Sequence, residues 1–160
     1  MGLGGAVVAR LESLREREAG RDEMLQEAVR AIKELGETYD WVGIYLLEGD
    51  TLVLHNYVGA ATDHERIAVG VGVCGSAVAE ERNIVVDDVL ALDNYLACSL
   101  DTRSEIVVLI RDEAGTIFGQ LDLDSDTPGA FGPADEAELQ IVADWLVPLF
   151  RPQADIAGAR

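Results

Sequence analysis

Acidic side chains occupy unexpected positions in two otherwise apolar segments of the chain. Glu105 begins the apolar run EIVVLI, while Asp122 and Asp124 alternate with leucines further along. Alternate residues of a strand share a face, so the two aspartates would lie about 7 Å apart on one side of a sheet. If that side faces solvent, the strand is simply amphipathic. If it lines a pocket, like charges raise the pKa of one carboxyl, which can then donate a proton, and the group suits an ammonium ligand.

The chain has two cysteines, Cys74 and Cys98, in different contexts. Cys74 lies in a glycine-dense segment, Gly70–Gly75, at the predicted start of a short helix. A helix N-terminus lowers the pKa of a thiol, but a buried cysteine that fills space is the alternative. Cys98 lies in an irregular polar segment, where it is either a nucleophile or an incidental loop residue. The glycine segment lacks the lysine of a P-loop and the spacing of a dinucleotide site, so it predicts no phosphate site.

The two histidines, His55 and His64, show no spacing typical of metal ligands. Together with only two cysteines they fall short of a four-ligand structural zinc site. His64 is expected to be a solvated polar residue in a loop. The sequence therefore predicts neither a metal nor a cofactor.

Two predicted hairpins and three helices must position these side chains. The order of elements predicts an α+β domain with a central antiparallel β-sheet of about six strands, flanked by N- and C-terminal helices. Residues 87–103 lack periodicity and predict a long loop of the kind that is usually functional or disordered. The predicted strands are 41–47, 51–59, 66–69, 84–86, 105–111 and 116–123, and the predicted helices are 22–35, 76–81 and 134–150.

Length and composition indicate one domain. With 160 residues, 49% of them hydrophobic, the chain can bury a core, and we expect a single domain over residues 21–150. Residues 1–20 are expected to form a flexible leader and residues 151–160 a frayed tail. No secretory signal and no apolar run of about 18 residues is visible, which favours a soluble, cytoplasmic protein with reduced thiols.

Charge excludes two classes of partner. Twelve lysines and arginines against thirty acidic residues give a formal net charge of −18. Such a surface repels phosphate backbones and anionic lipid headgroups. We therefore expect neither nucleic-acid binding nor membrane-surface binding.

Five motifs in series resemble the free methionine-(R)-sulfoxide reductases, which are GAF-domain enzymes that reduce the free amino acid. The resemblance spans residues 31–149 and implies a GAF-like fold. The motifs are Trp41-Val42-Gly43-x-Tyr45, Gly72-Val73-Cys74-Gly75, Ala97-Cys98, Arg103-Ser104-Glu105-Ile106-Val107 and Leu121-Asp122-x-Asp124-Ser125.

The resemblance also implies a mechanism. Cys98 would attack the sulfoxide sulfur, methionine would leave, and the resulting sulfenic acid would condense with a second thiol to a disulfide. Thioredoxin or another thiol reductant would then restore the enzyme, with no cofactor. Glu105, Asp122 and Asp124 would bind the amino group of the substrate and assist proton transfer. Trp41 and Tyr45 would form an aromatic wall beside the substrate methyl group.

The sequence departs from the family at one cysteine. The family commonly has a third, resolving cysteine where this chain has His64. Cys74 is then the internal candidate for resolving Cys98; otherwise a small cellular thiol must do so. The loss also favours an alternative function, a non-catalytic GAF module that binds a small ligand. A nucleotide-binding GAF regulator ranks last, because the acidic residues would repel a cyclic phosphate.

An apolar stripe of Leu25, Val29, Ile32 and Leu35 predicts an amphipathic helix over residues 22–35. The stripe packs either on the domain itself or on a second copy of the chain. If the stripe packs on a second copy, the chain forms a homodimer, which the family resemblance also supports.

Overall fold

The structure is a computed structural model, which describes residues 1–92 and 101–151. Its centre is a six-stranded antiparallel sheet in the order β3-β2-β1-β6-β5-β4. The two longest hairpins, β1–β2 and β5–β6, meet through β1 and β6 in the middle of the sheet. The strands are β1 (Trp41–Glu48), β2 (Thr51–Val58), β3 (Arg66–Ala68), β4 (Ile84–Val86), β5 (Ser104–Arg111) and β6 (Ile117–Ser125).

Helices cover both faces of the sheet. On one face, two helices pack on the strands and a third helix packs on both of them; on the other face, the described residues form one short helix. No helix among residues 1–92 and 101–151 is long and apolar enough to cross a membrane. The helices are α1 (Leu3–Glu16), α2 (Arg21–Leu35) and α4 (Pro133–Leu146) on the first face and α3 (Gly72–Glu80) on the second. This architecture confirms the predicted α+β domain with a six-stranded antiparallel sheet and N- and C-terminal helices.

The prediction of a flexible leader over residues 1–20 is wrong for Leu3–Glu16. This segment forms α1, which packs against α2 and α4. Val7 and Leu11 are completely buried, because with Leu14 they form one apolar stripe at spacings of four and three residues. Gly20 does not detach the segment from the domain; it is the N-cap of α2.

The stripe of α2 is buried inside the chain's own core. Leu25, Val29 and Ile32 are completely buried against α1 and the sheet, while Leu35 is partly exposed. Of the two alternatives, the stripe therefore packs on the domain. A homodimer stays a prediction that now depends on the family resemblance alone.

Two element boundaries differ from the prediction in ways that affect the site. Helix α3 begins at Gly72, four residues earlier than predicted, so Cys74 lies inside its first turn. Strand β6 continues to Ser125, which keeps Asp122 and Asp124 within the sheet. The described parts of the predicted long loop, 87–92 and 101–103, include a 3-10 turn at Val89–Ala91. Residues 93–100 of this loop and residues 152–160 of the predicted tail lie outside the described residues.

Candidate functional site

The two faces of β6 have opposite characters. Leu121 and Leu123 point into the core beneath the three helices. Asp122 and Asp124 point to the α3 side, where they are 0% and 1% exposed. Of the two alternatives left open by the sequence, the aspartates therefore do not lie on a solvent face but in the interior between the sheet and α3.

Strand register brings Glu105 to the same place. Glu105 on β5 is paired directly with Asp124 on β6, and its side chain is 2% exposed. On the other side of β6, Trp41 of β1 is also paired with Asp124. Cross-strand neighbours have Cβ atoms about 5 Å apart, so the sheet assembles three acidic side chains and an aromatic ring from three strands.

Cys74 joins this cluster from above. Its Sγ donates to Glu105 Oε2 at 3.8 Å. Asp122 is also close, since the Cys74 sulfur and one carboxylate oxygen each of Glu105 and Asp122 lie within 4.8 Å of one another. Burial raises the pKa of Glu105 well above its ordinary value, and the charges of Asp122 and Asp124 raise it further. Burial likewise raises the pKa of Asp122.

Stability should therefore fall as pH rises. Above about pH 4.5 the unfolded chain releases the Glu105 proton, whereas the folded chain keeps it until its own, higher pKa is reached. The folded state then binds more protons than the unfolded state, so the free energy of unfolding decreases by about 1.4 kcal/mol per pH unit per retained proton. Glu105→Gln removes the contribution of this proton to stability. The free energy of unfolding, measured with urea between pH 5 and 8, should therefore decrease less steeply with pH for the variant than for the wild type.

Glu48→Gln is the matched control for this measurement, because Glu48 is exposed at the end of β1. Its unfolding free energy should follow the wild-type slope throughout. Parallel pH slopes for Glu105→Gln and the wild type would show that Glu105 is ionised in the folded protein.

An aromatic wall borders the carboxylates. The Trp41 indole stacks on Tyr57 with ring centroids 5.3 Å apart, and its Nε1 donates to the Ala60 carbonyl at 3.0 Å. Gly43 makes room for it, because a Cβ there would approach the indole to 2.5 Å. Tyr57 was missed by sequence reasoning, although its place on β2 opposite Gly43 follows once the hairpin register is known.

Tyr45 lies four residues after Trp41, on the same face of β1. Its ring is completely buried, and its hydroxyl donates to the His64 carbonyl at 2.8 Å. The His64 amide in turn donates to Thr62 Oγ1 at 3.0 Å. The Tyr45 hydroxyl therefore holds the loop between β2 and β3 in place. The contribution of His64 to this contact comes from its backbone groups.

A small acidic cavity opens beside Asp124 and Trp41. Its volume of about 210 Å³ is below the range of about 300–1,000 Å³ that is usual for drug-sized ligands, so it suits a molecule of amino-acid size. Four of its seven lining residues are aspartates, which favours a cationic group in the ligand. The lining residues are Asp40, Trp41, Ala60, Asp101, Thr102, Asp124 and Asp126.

Gln120 is a second residue that sequence reasoning missed. Its side chain is completely buried and donates from Nε2 to the Cys74 carbonyl at 3.1 Å. It shares a face with Asp122 and Asp124, and a glutamine in that alternation is the signal that would have found it. Gly75 allows α3 to approach β3, because a Cβ there would lie 2.4 Å from the Ala68 carbonyl oxygen.

Six of the seven residues that the sequence predicts as catalytic or substrate-binding groups lie between the sheet and α3. These six are Trp41, Tyr45, Cys74, Glu105, Asp122 and Asp124. The seventh, Cys98, lies outside the described residues.

The chain is similar to known proteins along most of its length. The GAF domain family matches residues 18–146. The structure of a type II free methionine-R-sulfoxide reductase from Thermoplasma acidophilum is 42% identical, with a TM-score of 0.77, and the match covers 81% of this chain and 91% of that one. A free methionine-R-sulfoxide reductase from Neisseria meningitidis, solved in complex with its substrate, is 36% identical with a TM-score of 0.81 and coverages of 90% and 86%.

The free methionine-R-sulfoxide reductase of Escherichia coli is 43% identical over 107 residues, or 65% of this chain. This chain spans 62% of the length of that relative. The identities and coverages, together with the buried carboxylates and the aromatic wall, agree on one family. The chain belongs to the GAF domain family, in the group that contains the free methionine-(R)-sulfoxide reductases.

Proposed function

We propose that this protein reduces free L-methionine (R)-S-oxide to methionine with Cys98 as the nucleophile. The observation that carries the proposal is the buried group of Glu105, Asp122 and Asp124 beside the Trp41 ring. Burying three carboxyl groups together costs free energy, which a binding and proton-transfer role accounts for. The similarity to reductases of the same activity supports the same conclusion.

The first step transfers the sulfoxide oxygen. The Cys98 thiolate attacks the sulfoxide sulfur while a protonated carboxyl delivers a proton to the oxygen. The oxygen passes as a hydroxyl from the substrate sulfur to the Cys98 sulfur, and the transient sulfur–sulfur bond breaks. Methionine leaves reduced by two electrons, which Cys98 supplies as it becomes a sulfenic acid. Glu105 is the best placed proton donor, because burial and the neighbouring aspartates keep it protonated.

Substrate orientation is assigned to the acidic cavity and the aromatic wall. The ammonium group of the free amino acid binds near Asp124, in a cavity lined by four aspartates. The methyl and methylene groups pack against Trp41, whose ring is held by Tyr57 and Ala60. A methionine inside a protein has no free ammonium group, so it lacks the group that this cavity binds.

The second step regenerates the thiol. Cys74 condenses with the Cys98 sulfenic acid, water leaves, and a disulfide forms. Thioredoxin or another cellular dithiol then reduces the disulfide by exchange. Cys74 suits this role because it lies in the carboxylate cluster, with its sulfur 3.8 Å from Glu105. Action in the cytoplasm and a homodimeric state belong to the same proposal.

The test is turnover of the two purified diastereomers, which differ in configuration at sulfur. The reduced chain with dithiothreitol should produce methionine from the free (R)-sulfoxide, and far more slowly from the free (S)-sulfoxide. An N-acetylated, C-amidated (R)-sulfoxide lacks the ammonium group and should not react. If the wild-type chain releases no methionine, or uses the blocked compound equally well, the proposal is wrong.

A second function is favoured by His64. This residue replaces the cysteine that usually resolves the sulfenic acid, and its role in the fold is through its backbone. A GAF module that binds a free amino acid without reducing it would need the acidic cavity but not the thiols. Calorimetric binding of methionine sulfoxide without turnover would support this function.

A further inference from the structure

Three side chains of types that can ligate metal ions meet in the interior of the domain. They are the Cys74 sulfur from α3 and one oxygen each of Glu105 on β5 and Asp122 on β6, all within 4.8 Å of one another. Each of these side chains is at least nine-tenths buried. Three separate elements therefore converge on one point, which differs from a run of acidic residues on a surface.

Asp122 gives an independent indication of a ligand. Its side chain is completely buried, and neither carboxylate oxygen accepts a hydrogen bond from a backbone group or a basic side chain within residues 1–92 or 101–151. The side chains that interact with it there are Glu105 and Cys74, the other two members of the cluster. A buried carboxylate with no cation and no backbone donor beside it is costly and uncommon in folded proteins.

The spacing fits a tetrahedral cation site. Zn²⁺ binds thiolate sulfur at about 2.3 Å and carboxylate oxygen at about 2.0–2.2 Å, which places a tetrahedral sulfur–oxygen pair about 3.6 Å apart. The observed separation between Cys74 Sγ and Glu105 Oε2 is 3.8 Å. A pair at the upper limit of 4.8 Å needs to close by about 1.2–1.4 Å, which side-chain rotation of a carboxylate can supply.

We propose that Cys74, Glu105 and Asp122 bind one thiophilic divalent cation of the Zn²⁺ type. The thiolate ligand discriminates against Mg²⁺ and Ca²⁺, which prefer six or more oxygen ligands. On binding, the cation displaces the thiol proton and any carboxyl proton of the cluster, and these protons leave to solvent. Three protein ligands leave the fourth tetrahedral position open.

Such a cation would inhibit the proposed reaction, because it occupies the proton donor and the resolving thiol together. The inhibition rests on the proposed function, whereas the binding does not. The two are therefore tested by different measurements. Binding is measured on the reduced chain without substrate, and inhibition is measured by turnover.

The binding experiment titrates the reduced full chain with Zn²⁺ against a chromophoric chelator, and with Cd²⁺ while recording the near-ultraviolet thiolate-to-metal absorption. We expect one equivalent of either ion and a thiolate band. Cys74→Ser should lose the band, and Asp122→Asn should weaken Zn²⁺ binding by about 10–100-fold. Circular dichroism of each variant confirms folding, and Cys74→Ala is the second variant if serine prevents it.

Two further variants separate this site from other sources of binding. Cys98→Ser should keep the thiolate band, and Glu48→Gln, exposed at the end of β1, should keep wild-type affinity. The inference is wrong if no stoichiometric binding occurs, or if the band survives in Cys74→Ser and disappears in Cys98→Ser. If stoichiometric binding is found but the wild type has no turnover, the metal site stands and the proposed function fails.

Discussion

Replacing Cys98 with serine is expected to abolish turnover of free methionine-(R)-sulfoxide, by about 10³-fold or more. A serine hydroxyl is a far weaker nucleophile than a thiolate and cannot form a sulfenic acid. The loss should be the same with dithiothreitol and with thioredoxin, because it affects the step before either reductant acts. Single-turnover release of methionine from reduced protein is the direct measurement.

Cys74→Ser is the matched control for this loss. It removes the other thiol, so single-turnover release of methionine should continue. With dithiothreitol, multiple turnover should stay within a few-fold of wild type, because a small thiol can reduce the sulfenic acid. With thioredoxin and its reductase, turnover should fall by about tenfold or more. Full activity of Cys98→Ser would overturn the assignment of the nucleophile, and unchanged thioredoxin turnover of Cys74→Ser would overturn that of the resolving thiol.

The second large effect is expected at the carboxylates. Glu105→Gln should lower kcat by about 10²–10⁴-fold, which is the usual contribution of a positioned general acid. The pKa of Glu105 is raised by burial and by the neighbouring aspartates, so the wild-type rate should fall as pH rises and the proton is lost. The variant should lose this limb of the pH–rate profile.

Asp124→Asn should have a different kinetic signature. Asp124 lines the acidic cavity, so its neutralisation should raise KM for the free amino acid more than it lowers kcat. Asp50→Asn, in the exposed turn between β1 and β2, is the control and should match the wild type in both constants. An equal loss of kcat in the Asp124 and Glu105 variants would remove the distinction between binding and proton transfer.

Periodicity in the sequence predicted the fold well where the pattern was strong. Both hairpins, the short strands and the C-terminal helix could be located because apolar residues recur at the spacing of strands or helices. The exception is Leu3–Glu16, which is a packed helix and not a flexible leader: Val7, Leu11 and Leu14 form an apolar stripe, and Gly20 is the N-cap of the next helix. A glycine between two helices marks where one helix ends and the next begins. It does not show whether the first helix packs against the rest of the domain.

The site could be predicted only in part, for a physical reason. Period-two alternation determined that Asp122 and Asp124 share a face of the sheet. It did not show whether that face is solvent-exposed or buried, because the helix that covers it, α3, comes from a distant part of the chain. The contacts of Tyr57 with Trp41 and of Gln120 with the Cys74 carbonyl depend on strand register and helix docking, which no local pattern encodes.

By itself, the amino-acid sequence determined the fold class, the acidic net charge, and the residue types available for chemistry. These depend on composition and local spacing, which a linear chain displays directly. Only the tertiary structure decided that Glu105, Asp122 and Cys74 meet within 4.8 Å in the interior. Their proximity arises from cross-strand pairing and from the packing of α3, and in that surrounding burial turns ordinary carboxylates into groups that hold a proton.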